Sequence, residues 1–154
     1  MTVQNRNIRT IRAYLEDFNR QDPDALARHC TDDFSNHGRR VGKAGARWVL
    51  EDIFTRFPDC RQEVANIVAA EDDVVIRVSY SGTHRGVGRR PIDGGFMIGV
   101  PPTGRAFSVQ HMHWFRLEDG LITHHWANRD DTGMLVQLGL MDPAPVYDPA
   151  TEMA

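Results

Sequence analysis

The sequence is short of long apolar runs, of cysteine and of positive charge, and each shortage narrows what the chain can be. No apolar stretch among its 154 residues approaches the roughly 20 needed to cross a bilayer as a helix. The opening segment, MTVQNRNIRTIRAYLEDF, holds no continuous apolar core of the kind that marks a secretion signal. The expectation is a soluble, cytoplasmic protein with no membrane partner. The two cysteines, Cys30 and Cys60, sit in no C-x-x-C or other ligand spacing, so buried free thiols are expected. Lys and Arg total 18 against 21 Asp and Glu, a net charge of −3. A weakly acidic chain lacks the basic surface that phosphate backbones require, so nucleic acid is not an expected partner. No G-x-S-x-G elbow is present. The glycines at 86, 88, 94, 95 and 99 lead into no helix, which excludes a phosphate loop.

What is present is ordinary globular composition, 41% hydrophobic and 25% charged, enough for one domain over residues 1–154. Ile8, Ile11, Leu15 and Phe18 recur at spacings of three and four, predicting a first helix with Tyr14 beside its stripe. Asp22-Pro23 caps and opens a second, short helix carrying Ala25, Leu26 and Cys30, stopped by Thr31-Asp32-Asp33. A third helix from about Lys43 presents Ala46, Val49, Leu50, Ile53 and Phe57 and closes at Pro58. Beyond that the period becomes β-like, over residues 61–70, 74–84, 107–117 and 121–130. Residues 85–105, rich in Gly and Pro, read as a loop with one short strand inside. A last helical turn covers 132–139, and a proline-rich tail from about 142 is loosely docked. Helices first and strands afterwards give an α+β cone, three N-terminal helices on a curved antiparallel sheet that encloses a pocket.

The final hairpin holds most of the candidate chemistry. Pairing Leu117 with Leu121 through a three-residue bulged turn puts Gln110, Met112 and Trp114 on one face with Trp126, Asn128 and Asp130. If that aromatic face is the inward one, Asp130 is a desolvated strand-end carboxylate with a raised pKa, suited to general acid/base work. The competing reading makes Asp130 the cap of the following turn. His111, His113 and His125 then lie on the outer face. Three imidazoles there suggest a metal, but no carboxylate or fourth ligand joins them, and no metal is expected. Asn36-His37, after Phe34, leave the second helix as a loop that could reach over the cavity mouth.

The segment HMHWFRLEDGLITHHWANRDDTGMLVQLGL resembles the SnoaL-like polyketide cyclases, or ester cyclases, of the NTF2-like superfamily. The resemblance rests on His113, Phe115, Arg116, Asp119-Gly120, Ile122, His125-Trp126, Asp130 and Gln137-Leu138-Gly139, with His124 where the family usually has glutamate. Phe34-Ser35-Asn36-His37, Phe57-Pro58-Asp59 and Pro102-Thr103-Gly104-Arg105 extend it to residues 8–140. It implies an NTF2-like fold and an enzyme that, without a cofactor, removes a proton from an apolar, polyketide-like substrate and drives intramolecular aldol-type cyclisation or isomerisation. It implies Asp130 as the acid/base, His113 as a second catalytic group, and Asn36 and His37 at the pocket. The face assignment of the hairpin adds Trp126, Gln110, Asn128 and Met112 around the substrate, and Tyr14 beside the first helix stripe is a further candidate. A non-catalytic binding or accessory protein using the same cavity is the alternative. A homodimer is expected through the sheet face bearing His111, His113 and His125.

Overall fold

In the computed structural model, residues 1–91 and 96–145 are described, so the tail beyond 145 and positions 92–95 of the long loop lie outside the described residues. The order is α1 (Val3–Asn19), α2 (Pro23–Arg28), β1 (Cys30–Asn36), β2 (Arg39–Arg40), α3 (Gly42–Arg56), β3 (Arg61–Ala70), β4 (Asp73–Thr83), β5 (Ala106–Glu118), β6 (Leu121–Arg129) and α4 (Asp131–Gln137). The α+β class is the one expected. Ile11, Leu15 and Phe18 form the buried stripe of α1, and Thr2 caps its start. Asp22 caps α2 by accepting from the Ala25 N–H at 2.8 Å. Between β4 and β5, the described residues of 85–105 form no strand and hold one isolated bridge, Gly88 to Ile98, where a short strand was expected.

The sheet order is β2-β1-β6-β5-β4-β3, and it is mixed rather than antiparallel throughout. The segment expected to finish the second helix is strand β1, running parallel to β6 with Cys30 opposite Ile122 and Asn36 opposite His125. Cys30 and Phe34 are its buried side chains. Their spacing of four suits a helix stripe and one face of a strand equally, and the parallel partner lies some ninety positions away in the chain.

β5 alternates buried and exposed along all its 13 residues. Phe107, Val109, His111, His113, Phe115 and Leu117 point inward, with Val74, Ile76, Val78 and Tyr80 of β4 beside them. The inner face of the hairpin is therefore the odd-numbered one, opposite to the expected choice. Met112 (51% exposed) and Trp114 (48%) lie on the outer face, as do Gln110, Asn128 and Trp126. Trp126 stacks there on His124 at 5.4 Å. The apolar payload decides it: four of the six inward positions on β5 are Phe, Val or Leu, each worth about 1.5–3 kcal/mol when fully buried. The turn also differs. Glu118 pairs with Leu121 around a two-residue turn, Asp119 (φ 48°) and Gly120 (φ 80°), and the bulge falls beyond Leu117, at Thr123.

Candidate active site

The helices and the inner sheet face surround a cavity of about 120 Å³ that opens to the surface. Its apolar wall comes from Phe18 on α1, Leu50 and Ile53 on α3, and Phe115 and Ile122 on the sheet. Tyr14, Asn36, His37 and His113, all expected at the site, line it. Asp130, Trp126, Gln110, Asn128 and Met112 do not.

Asp130 is exposed and is the N-cap of α4, its carboxylate accepting from the Gly133 N–H at 2.8 Å. The desolvated setting expected for it is absent, because its strand face looks outward and the chain turns into α4 at this residue. Asp130→Ala should lower unfolding free energy by about 1 kcal/mol in urea titrations, the usual value of a lost cap. It should leave turnover per folded molecule unchanged.

The expectation of outward histidines is likewise overturned. His111, His113 and His125 all face the cavity, so they form no part of an outer dimer surface. His113 Nδ1 lies 2.9 Å from His125 Nε2, and His125 Nδ1 lies 2.9 Å from Asn36 Oδ1. The His113 and His125 rings stack at 5.2 Å and 21°, and His37 meets His125 edge-on at 5.7 Å. This chain exists because the β1–β6 register sets Asn36 beside His125 and the β5–β6 register sets His113 opposite Ala127. His37, with φ 49°, turns the β1–β2 hairpin and is among the residues lining the cavity.

His113 is 8% exposed, and its Nε2 is buried without a hydrogen-bond partner among the described residues. Burial first, then the neighbouring His125, His111, Arg129 and His37, hold its pKa well below the ordinary 6.5. It is a neutral imidazole at physiological pH. Burial also raises the Tyr14 phenol, with Cys30 adding to the effect, so Tyr14 remains a protonated donor. The Cys30 thiol is pushed up to about 12, chiefly by burial, which leaves it unreactive.

Arg129 and Asp131 were not anticipated from the sequence. Both line the cavity and pair at 3.1 Å, and Asp131 is the only carboxylate among the described lining residues. The odd-numbered alternation of β5 was the signal that would have found them, because it fixes the inward face of β6 as well. Among the described residues no group of three or more His, Cys, Asp or Glu is arranged to hold a metal ion. His113 and His125 spend their facing nitrogens on each other.

Residues 8–138 match the family model of the SnoaL-like polyketide cyclases. The nogalonic acid methyl ester cyclase of Streptomyces nogalater is 45% identical over 51 residues, 33% of this chain and 37% of that one. The aklanonic acid methyl ester cyclase AcmA of Streptomyces galilaeus is 28% identical over 141 residues, covering 86% of this chain and 90% of its own. Among solved structures, IdmH of Streptomyces antibioticus, a candidate polyketide cyclase, superposes with a TM-score of 0.70 at 31% identity, over 86% of this chain and 98% of its own.

Proposed function

The chain belongs to the SnoaL-like polyketide cyclase family, and on that premise we propose that it closes or isomerises a polyketide-like substrate by cofactor-independent acid/base chemistry, with His113 Nε2 as the base. The observation that supports this is a neutral imidazole among the cavity-lining residues whose Nε2 is buried and has no hydrogen-bond partner among the described residues. Such a nitrogen takes a proton from a carbon made acidic by adjacent carbonyls. The carbon keeps the electron pair as an enolate, which attacks a second carbonyl of the same molecule. The resulting alkoxide recovers the proton from His113. Tyr14 supplies a donor for a developing enolate oxygen, and the Arg129 guanidinium adds positive charge to the same wall. The apolar walls fold the substrate and exclude water. The methyl ester substrates in the names of two relatives make polyketide esters the first compounds to test.

The test is turnover of such esters by the wild type and by His113→Gln. Equal rates would remove His113 from the chemistry and favour the second reading, a binding or accessory protein using the same cavity. That second reading is supported by the absence of an inward carboxylate other than the paired Asp131 among the described lining residues.

A homodimer is proposed through the outer sheet face, with Trp114 and Met112 in place of the histidines. An exposed Trp beside an exposed Met on an open sheet is the composition of an interface anchor. Trp114→Glu should weaken association by about 30-fold or more, read by sedimentation at micromolar concentration. A wild-type protein that sediments as a monomer there would end this proposal.

A further inference from the structure

We infer that Asn36 and His125 are positioning residues that fix the tautomer of His113 and receive the charge that catalysis generates. The inference rests on His113 acting as the base and deepens that reading.

The argument is one of donors and acceptors. The Asn36 side-chain oxygen only accepts, so at 2.9 Å the His125 Nδ1 must carry the proton. In a neutral imidazole the other nitrogen, Nε2, is then a bare acceptor. His113 Nδ1, 2.9 Å from it, must donate. His113 Nε2 is left with its lone pair free, buried and without a hydrogen-bond partner among the described residues, on a ring that lines the cavity. Without an acceptor at position 36, both rings could flip tautomer, and His113 would present an N–H to the substrate. An N–H cannot remove a proton.

The same bonds carry charge away. When His113 Nε2 gains the substrate proton, the Nδ1 proton can cross the 2.9 Å bond to His125 Nε2. The positive charge then sits on His125, whose Nδ1–H points at the Asn36 oxygen. The proton count balances, with one taken from carbon, one passed between rings and none lost. The step moves the charge one ring closer to an oxygen dipole.

The titratable and charged groups that line the cavity with the pair are Tyr14 on α1, Cys30 on β1, His37 in the β1–β2 turn, Arg56 on α3, Tyr80 on β4, His111 on β5, Arg129 on β6 and Asp131 on α4. Asp131 is the negative one, and it is paired with Arg129. The Asn36 oxygen is thus the acceptor in direct contact with the His125 ring. A neutral amide there orients the relay without making His113 a cation at rest.

The first test needs no variant. Imidazole ¹⁵N spectra of the wild-type protein at neutral pH should show the Nδ1–H tautomer for both His113 and His125. An Nε2–H signal for His113 overturns the inference. Asn36→Leu should mix the tautomers and lower kcat by about 10-fold or more, with KM moving less than about 3-fold. A change confined to KM would make Asn36 a substrate contact and overturn the positioning role. Asn36→Asp keeps an acceptor and restores the single tautomer. It adds a negative charge beside His125, which favours the protonated pair, so the acidic limb of the kcat profile should rise by about one pH unit or more. A merely structural Asn36 would leave that limb in place. The spectrum and the His113→Gln turnover assay separate the two ideas: the assay can fail with the tautomer intact, and the tautomer can be wrong with His113 still essential.

Discussion

Replacing His113 with glutamine is expected to lower turnover by about 10²–10⁴-fold, the range for losing a general base. Glutamine keeps much of the imidazole volume and can still donate to His125, so the stacked wall of Phe115, His113 and His125 should survive. What it cannot do is bind a proton at physiological pH. Activity in the wild type should persist below pH 6.5, because burial first, and then the neighbouring His125, His111, Arg129 and His37, hold His113 neutral there, and should fall only as pH approaches its depressed native pKa. The same depression leaves a mark on stability. In the unfolded chain the histidine takes up a proton near 6.5, whereas in the native state it does so only at lower pH. Its contribution is therefore fully present above 6.5 and is lost as pH falls from there towards the native pKa, by about 1.4 kcal/mol for each pH unit in the window. Urea titrations at neutral and mildly acidic pH should show a steeper decline for the wild type than for His113→Gln. A variant that turns over at the wild-type rate would end the role of His113 as base, whatever the stability data showed.

How legible this was in the sequence depended on whether the signal was local. The stripe of Ile11, Leu15 and Phe18 gave α1, Asp22-Pro23 gave the start of α2, and Pro58 gave the end of α3. β3 to β6 followed from β-branched runs and turn residues. β1 was missed because it is short, half polar and held by a parallel partner far along the chain, and with it went the register that brings Asn36 to His125. The inward face of the hairpin was misjudged for a different reason. Trp114 and Trp126 make the even-numbered face the more aromatic one, whereas Phe107, Val109, Phe115 and Leu117 alternate on the other face with two histidines between them. Histidine in a core position is a polar interruption that sequence periodicity discounts, and here the interruption is the site. The family motif survived both errors. It located the hairpin and α4 correctly, while the role carried over to Asp130 met an exposed helix cap.

Loss of the Arg56 guanidinium should have a large effect on stability, and the reason is the loop it anchors beside the cavity. Arg56 and Asp52 lie one turn apart on α3, 2% and 4% exposed. Their charges meet at 2.6 Å and 2.8 Å. Neither group is spent on the other alone. Arg56 donates to the carbonyls of Phe96 at 2.6 Å and Arg90 at 3.1 Å, and Asp52 accepts from the Arg89 N–H at 2.9 Å. The loop lies so close to the guanidinium that a Cβ at Gly88 would fall 1.8 Å from Arg56 Nε, which only glycine tolerates. Arg56→Met removes the cation and leaves a buried carboxylate with backbone donors but no counter-charge, a loss of about 3–5 kcal/mol. For a chain of this length that lowers Tm by about 6–20 °C. Asp52→Asn strands the opposite charge and should cost a similar amount. The double variant Asp52→Leu/Arg56→Met should cost less than the two singles together, because it removes both charges from the interior and leaves only unsatisfied loop groups. Phe96 lines the cavity from this loop, so Arg56→Met should also raise KM for any substrate the cavity accepts, even at temperatures where the protein stays folded. Urea unfolding of the two single variants and the double separates the cases: strict additivity would mean that the two groups are stabilised independently and that their charges do not hold the loop as a pair.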